Sequence, residues 1–221
     1  MPLVRFTPES GTVYEQDPGR EILLCLTSVP EKLPESLELL PEELQRSILF
    51  RKEEDRIAYL YRRALLRHLI GHFLQRPSNE LQFTLNPFGK PEIDDAPFHF
   101  NMSRSGKEIA YYFGPFPGGV DIEKIRPSGP FRVIADIHYH PAEQENAKDD
   151  TGFFTTWTRK EAILKAIGTG LVSNLIDVDT THEQVTVLQQ NIQVNSLQTD
   201  AAILSFACLS EEKPTLRLFA L

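Results

Sequence analysis

Two short stretches carry side chains suited to joint chemistry. The first is "GGVDIEKI", from Gly118. Residues two apart on a strand share a side, so Asp121 and Glu123 converge while Val120 and Ile122 face a core. Two carboxylates at that spacing suit a hard divalent cation, and Mg²⁺ typically takes one or two carboxylates, several waters and substrate phosphates. The same pair also fits the solvent side of a half-buried strand. The second stretch, "FFTTWTRKEAILKAIGTGL" (Phe153 to Leu171), has the spacing of an amphipathic helix. Ile163, Ala166 and Ile167 cluster roughly opposite Glu161, with Lys165 about 40° from it around the axis and Gly168 about 20° away on the other side. A carboxylate, an ammonium and bare backbone thus share one face. "TRKE" also reads as a capping box closed by Glu161, with Lys165 as an i, i+4 partner.

Weaker features accompany these. From Arg46 to Arg67 the chain holds six arginines and one lysine. Lys52, Arg56, Arg63 and Arg67 fall within about 60° on a helical wheel. Such a strip is either a solvated face or a rail for phosphates, which a guanidinium fork grips well. "NPFGKP" places Lys90 just after a glycine in a turn, where backbone approaches a ligand closely. "NMSRS" sets Ser103, Arg104 and Ser105 at a strand end. "HYH", His138 to His140, reads as an exposed loop, because no third metal ligand stands at useful spacing. The chain has no Walker loop, dinucleotide-binding glycine fingerprint or GxSxG elbow.

The elements that must hold these groups follow from pattern. A strand is expected over Glu21 to Val29, then a proline-punctuated acidic segment, a helix from about Lys52 to Leu74, a loop at "NPFGKPEI", and strands "FHFNMS" and "EIAYYF". After "GGVDIEKI", a polar and mobile segment from Pro127 to Gly152 is expected before the second helix. Strands "VTVLQ", "IQVNSL", "ILSFACL" and "TLRLFAL" complete the chain. Each half is one helix on a few mostly antiparallel strands, an α+β pattern. "RALLRHLIGHFL" and "EAILKAIGTGL" align as a weak internal repeat, Glu161 opposite Arg63 and Lys165 opposite Arg67. The expected division is an N-terminal α+β half, 1–115, and a C-terminal α+β half, 116–221, with a ligand cleft between them.

Bulk properties narrow the function class. The 221 residues are 41% hydrophobic, enough for a sizeable core. No run is long and apolar enough to span a membrane, and the N-terminus lacks the pattern of a secretory signal. Cys25 and Cys208 sit in apolar runs, which points to buried thiols in a reducing cytoplasm. The net charge of −8 argues against general nucleic-acid binding, while the local basic strip suits a discrete anionic ligand.

Taken in order, "FGKP…FHFNMSRS…GVDIE…FFTTWTRKEAILKAIGTGL" closely resembles the 4′-phosphopantetheinyl transferases of the surfactin-synthetase-activating type. That family carries a GKP turn, an FN-Ser-His-Ser strand end, a G-[IV]-D-[IV]-E strand and W-[ST]-x-K-E-A-x-x-K-A-x-G-x-G-L. The resemblance spans Phe88 to Leu171. It implies two similar α+β halves related by a pseudo-twofold axis, with coenzyme A bound between them. It also implies a holo-[carrier-protein] synthase type of reaction, in which a serine of an apo acyl or peptidyl carrier protein takes the 4′-phosphopantetheine group of coenzyme A and adenosine 3′,5′-bisphosphate leaves.

By position, the resemblance makes Asp121, Glu123 and Glu161 the Mg²⁺ ligands, with Mn²⁺ suited to the same oxygens. Lys165 would neutralise charge on the pyrophosphate or leaving phosphate, and Glu161, directly or through a bound water, is the implied base. Lys90, Ser103 and Arg104 would contact coenzyme A, with Arg56 and Arg63 as partners for its 3′-phosphate. The family's usual histidine is Arg104 here, which keeps the charge and excludes a proton-shuttling role. Lys124, Arg126, Arg132, Arg159 and Lys160 are expected to dock an acidic carrier. A cytoplasmic monomer is expected, because the cleft would lie within one chain. The alternatives are a non-catalytic coenzyme A-binding module, a Mg²⁺-dependent phosphohydrolase and an interaction scaffold.

Overall fold

The computed structural model describes residues 4–5, 7–126, 131–169 and 175–221. In chain order the elements are β1 (Val4–Arg5), β2 (Ile22–Ser28), α1 (Pro41–Ser47), α2 (Glu53–Leu74), β3 (Thr84–Leu85), β4 (Pro91–Glu92), β5 (His99–Ser105), β6 (Glu108–Gly114), β7 (Gly118–Lys124), α3 (Phe131–His138), α4 (Asp150–Ile167), β8 (Gln184–Val187), β9 (Gln190–Gln198), β10 (Ala202–Leu209) and β11 (Leu216–Ala220). One sheet has the order β11-β2-β6-β5; the other is β1-β9-β10-β7, with β8 also on β9. The same strand–helix–strand–strand unit occurs twice. In β2–α2–β5–β6 the last strand lies between the other two, and in β7–α4–β9–β10 it does so again. The α+β expectation holds. Each short terminal strand crosses over: β11 runs parallel to β2, and β1 parallel to β9.

Alternation along the strands sorts the core into layers. Leu23, Cys25, Ile109, Tyr111 and Phe113 pack against Leu66, Leu69 and Ile70 of α2. Their neighbours Ile22, Leu24, Ala110 and Tyr112 meet Val120, Ile122, Leu204 and Phe206 between the two sheets. On the far side, Ala162, Ile163 and Ala166 of α4 cover Ile192, Val194 and Ala207. The stack is therefore helix, sheet, sheet, helix. Its central strands are buried on both faces, which is why "EILLCLTSV" and "ILSFACL" read as continuous apolar runs. Among the described residues no helix is long and apolar enough to cross a membrane.

Three expectations are corrected. Helix α4 starts at Asp150, with the Asp149 side chain accepting from Gly152 N–H at 2.7 Å. Thr158 is mid-helix, and its hydroxyl meets Ser205 of β10 at 2.7 Å, so the "TRKE" capping box does not exist. The segment before α4 is helical over α3 and in short turns beyond it. Within "HYH", Tyr139 is fully buried and donates to Phe153 O at 2.8 Å, so that stretch is not a simple exposed loop. At the other end Gly168 closes α4 with φ +76°, its N–H on Leu164 O at 2.9 Å. Gly170 of the same stretch lies outside the described residues.

Two adjacent glycines of β7 set the helix height. A Cβ on Gly118 would stand 2.2 Å from the ring of Tyr112, and one on Gly119 would stand 2.2 Å from Ala162 O and 2.7 Å from Lys165 Cβ. Helix α4 thus crosses β7 backbone to backbone at Gly119. Gly119→Ala is expected to lower unfolding free energy by about 1–3 kcal/mol, since the clash is with rigid backbone. Urea denaturation of the two proteins checks it; equal midpoints would contradict the close crossing.

Candidate active site

Asp121 and Glu123 follow Gly119 on the face of β7 that α4 covers. Facing β7 is β5, the edge strand of the other sheet, and side chains bridge the two in register. Asn101 Oδ1 accepts from Val120 N–H at 3.0 Å, Ser103 Oγ donates to Asp121 Oδ1 at 2.7 Å, and Ser105 Oγ donates to Glu123 Oε2 at 2.7 Å. Alternation of the strand "FNMSRS" brings Asn101, Ser103 and Ser105 to one side. The sequence pattern singles out Ser103 and Ser105 but not Asn101, although its spacing of two from Ser103 is the available signal.

From α4, Lys165 Nζ reaches Asp121 Oδ1 at 2.6 Å, Ser103 Oγ at 3.0 Å and Val120 O at 3.2 Å. Asp121 is buried, and its other oxygen, Oδ2, is enclosed with no hydrogen-bond partner. Burial pushes the Glu161 carboxyl above its ordinary range, and repulsion from Asp121 and Glu123 adds to this, while Lys165 pulls the other way. The three acids therefore share one electrostatic neighbourhood, as the pattern implied.

Among the described residues no three of His, Cys, Asp and Glu are drawn close enough to cage a metal by themselves. Mg²⁺ does not need such a cage, because it keeps waters and takes phosphate oxygens. An enclosed carboxylate oxygen without a partner, beside a mutually repelling acid pair, is a donor set that a hard cation satisfies. The residues fit the ion.

A cavity of about 300 Å³ opens beside these groups, lined by Phe88, Gly89, Lys90, Asn101, Glu161 and Lys165 among others. Its wall is the "NPFGKP" turn. Asn86 Oδ1 accepts from the N–H groups of Phe88 and Lys90, both at 2.9 Å, and Gly89 takes φ +84°. Asn86 Nδ2 then donates to Gly168 O at 3.1 Å, tying the turn to the end of α4. Lys90 Nζ donates to Lys165 O near the C-terminus of α4 at 2.8 Å and to Gly118 O of β7 at 3.0 Å, placing a cation at the helix end. Burial pushes its ammonium down to about 8.

The other sequence candidates are more dispersed. Arg104 donates to Gly106 O at 2.9 Å and stands 3.7 Å from Asp55 of α2. Arg56 pairs with Glu53 at 2.6 Å, and Arg63 lies over the Phe83 ring at 5.5 Å. Arg67 belongs to neither a solvated face nor a phosphate rail. It is fully buried, forked on Glu43 at 3.0 and 2.8 Å and bonded to Glu38 O at 2.7 Å. Arg62, which the wheel did not select, is lowered by burial, then by Arg104 and Arg63. Two expected docking residues are also interior. Arg159 donates to Thr180 O at 2.8 Å, and Lys160 pairs with Glu143 at 2.9 Å in full burial. They anchor α4 and do not face a partner.

A profile described as the 4′-phosphopantetheinyl transferase superfamily matches residues 117–214. The 4′-phosphopantetheinyl transferase Sfp of Bacillus subtilis is 31% identical over 136 residues, 59% of this chain and 61% of that protein. The enzyme gsp of Aneurinibacillus migulanus is 30% identical over 158 residues, 68% of this chain and 65% of its own length. A putative 4′-phosphopantetheinyl transferase of Synechocystis is 31% identical over 172 residues, 73% of this chain and 70% of that protein. The chain belongs to this superfamily. Its match spans less than two thirds of the first and second of these relatives. The family profile covers the side-chain ladder's β7 half and all of α4, but not the "NPFGKP" turn that walls the cavity.

Two outcomes test these placements. The unfolded chain holds the Lys90 proton up to 10.5, the folded one only to about 8. Wild type is therefore expected to gain stability relative to Lys90→Met as pH rises through that window, which urea titrations at several pH values measure. A constant difference would contradict the buried ammonium. Arg159→Glu is expected to cost about 3–5 kcal/mol by stranding charge in the interior, read as a fall in Tm. A normal Tm with weakened partner binding would return Arg159 to the surface.

Proposed function

We propose that this protein transfers the 4′-phosphopantetheine group of coenzyme A to a serine of an apo acyl or peptidyl carrier protein, as a holo-[carrier-protein] synthase. The observation that carries this is the enclosed, unpartnered Asp121 Oδ2 beside Glu161 and Lys165, at the edge of a cavity walled by the "NPFGKP" turn. The relatives named as 4′-phosphopantetheinyl transferases support the same reading.

In this proposal the serine oxygen bonds to the β-phosphorus of coenzyme A as the bond to the adenosine-side phosphate oxygen breaks. Adenosine 3′,5′-bisphosphate leaves with the electron pair. Asp121, Glu123 and Glu161 would hold Mg²⁺ or Mn²⁺, which supplies charge neutralisation at the pyrophosphate. Glu161, directly or through a bound water, accepts the serine proton. Ser103 and Ser105 hold Asp121 and Glu123 in place from β5. Lys90 fixes the turn against α4, and Arg104 with Arg62 and Arg63 gives the local positive field that a phosphate needs. Arg56 stays a more distant partner for the 3′-phosphate, engaged with Glu53.

The same proposal divides the chain near residues 115 and 116, each half lending one short terminal strand to the other. It also makes the protein a cytoplasmic monomer, without nucleic-acid or membrane partners, that meets an acidic carrier through Lys124 and Arg126. Intact-mass spectrometry of an apo acyl carrier protein incubated with the protein, coenzyme A and Mg²⁺ tests the reaction. One phosphopantetheine gained, lost with EDTA, is the expected result. Glu161→Gln is expected to slow the gain by about 100-fold or more with the fold intact. No gain across fatty-acid and peptide-synthetase carriers, with coenzyme A still bound, would favour a non-catalytic binding module.

A further inference from the structure

Lys165 has no N–H left for a substrate. An ammonium donates three hydrogen bonds, and Asp121 Oδ1, Ser103 Oγ and Val120 O take all three, at 2.6, 3.0 and 3.2 Å. Asp121 is loaded on one side only. Its Oδ1 receives Lys165 and Ser103, while its Oδ2 receives nothing. A carboxylate held this way is already half neutralised, by a side chain that keeps some exposure to the cavity.

We infer that Lys165 is an internal counter-cation that competes with a divalent metal for Asp121, and that a phosphate ligand in the adjoining cavity releases Asp121 by drawing Lys165 away. The inference rests on reading Asp121 as a metal ligand. A positive charge 2.6 Å from the carboxylate opposes a second cation at the same group. A phosphate offers the ammonium an acceptor of equal strength, so metal and phosphate ligand each tighten the other's binding. The contact also suits the metal-free protein: Arg126 stands 3.3 Å from Glu123, and without Lys165 the buried Asp121 would face Glu161 with no cation of its own. Lys165 thus sets the order and coupling of two ligands besides touching one of them.

Mn²⁺ binding followed by electron paramagnetic resonance, with the full chain and no carrier protein, tests this directly. Without coenzyme A, Lys165→Met is expected to bind Mn²⁺ about tenfold tighter than wild type. Coenzyme A is expected to tighten Mn²⁺ binding to wild type by a clearly larger factor than to the variant, because phosphate oxygens add metal ligands in both and only wild type has Lys165 to draw off Asp121. Lys165→Gln, which keeps an N–H donor for Ser103 and Val120, should behave like Lys165→Met and covers the case in which methionine fails to fold. Lys124→Met removes the same charge nearby without touching Asp121 and is expected to shift the affinity by less than about threefold. Equal or weaker Mn²⁺ binding in both Lys165 variants, or no Mn²⁺ binding in any protein, would overturn the inference. Tighter binding in the variants together with no transfer to any carrier would leave it standing and reject the transferase reading.

Discussion

The contact that the rest of the site depends on is the crossing of α4 over β7 at Gly119. With any side chain there the helix would have to rise, since Ala162 O already stands 2.2 Å from where a Cβ would be. At this height Lys165 spans from its own Cβ above Gly119 to Asp121, two residues along the same strand face. Successive same-face residues are about 7 Å apart, close to the reach of a lysine. A higher helix would break the Lys165–Asp121 contact first. The neighbouring Gly118 serves the opposite face, where it admits the Tyr112 ring between the sheets. One dipeptide therefore fixes both the sheet-to-sheet and the helix-to-sheet spacing.

Three of the ion pairs made by the long helices, those of Arg67, Lys160 and Lys165, have surroundings that separate structure from chemistry. Arg67 on Glu43 and Lys160 on Glu143 are fully buried, with carbonyls or hydroxyls completing both sides. Such pairs hold segments together, and removing one partner is costly. Lys165 on Asp121 differs in two ways: the lysine keeps some exposure, and the aspartate retains an enclosed oxygen with no partner. That imbalance marks the third pair as a place for a ligand. The internal repeat set Lys165 opposite Arg67, so equivalent helix positions carry one pair that is closed and one that is open.

Much of this was legible in the chain. The strand "GVDIE" placed Asp121 and Glu123 together by simple alternation, and Val120 and Ile122 do face the core. Helix periodicity put Glu161 and Lys165 on one side, and "NPFGKP" was recognisable as a turn from its Pro and Gly. What failed was the reading of charge as surface. Arg67, Arg159 and Lys160 look solvated on a helical wheel, yet their partners Glu43, Thr180 and Glu143 come from segments far away in sequence. A wheel sees only its own helix. The capping box failed for a related reason, because Thr158 finds Ser205 across the sheet and Asp149 supplies the cap. The ladder from β5 to β7 needed the sheet order, which no local pattern carries.

The most direct test of the account is an anomalous-scattering map from crystals grown with Mn²⁺ and coenzyme A. The account predicts one Mn²⁺ peak at the Asp121 Oδ2 side, with Glu123 and Glu161 around it and Lys165 Nζ moved from Asp121 to a phosphate. A peak elsewhere, or Lys165 still on Asp121 with the ligand bound, would contradict it.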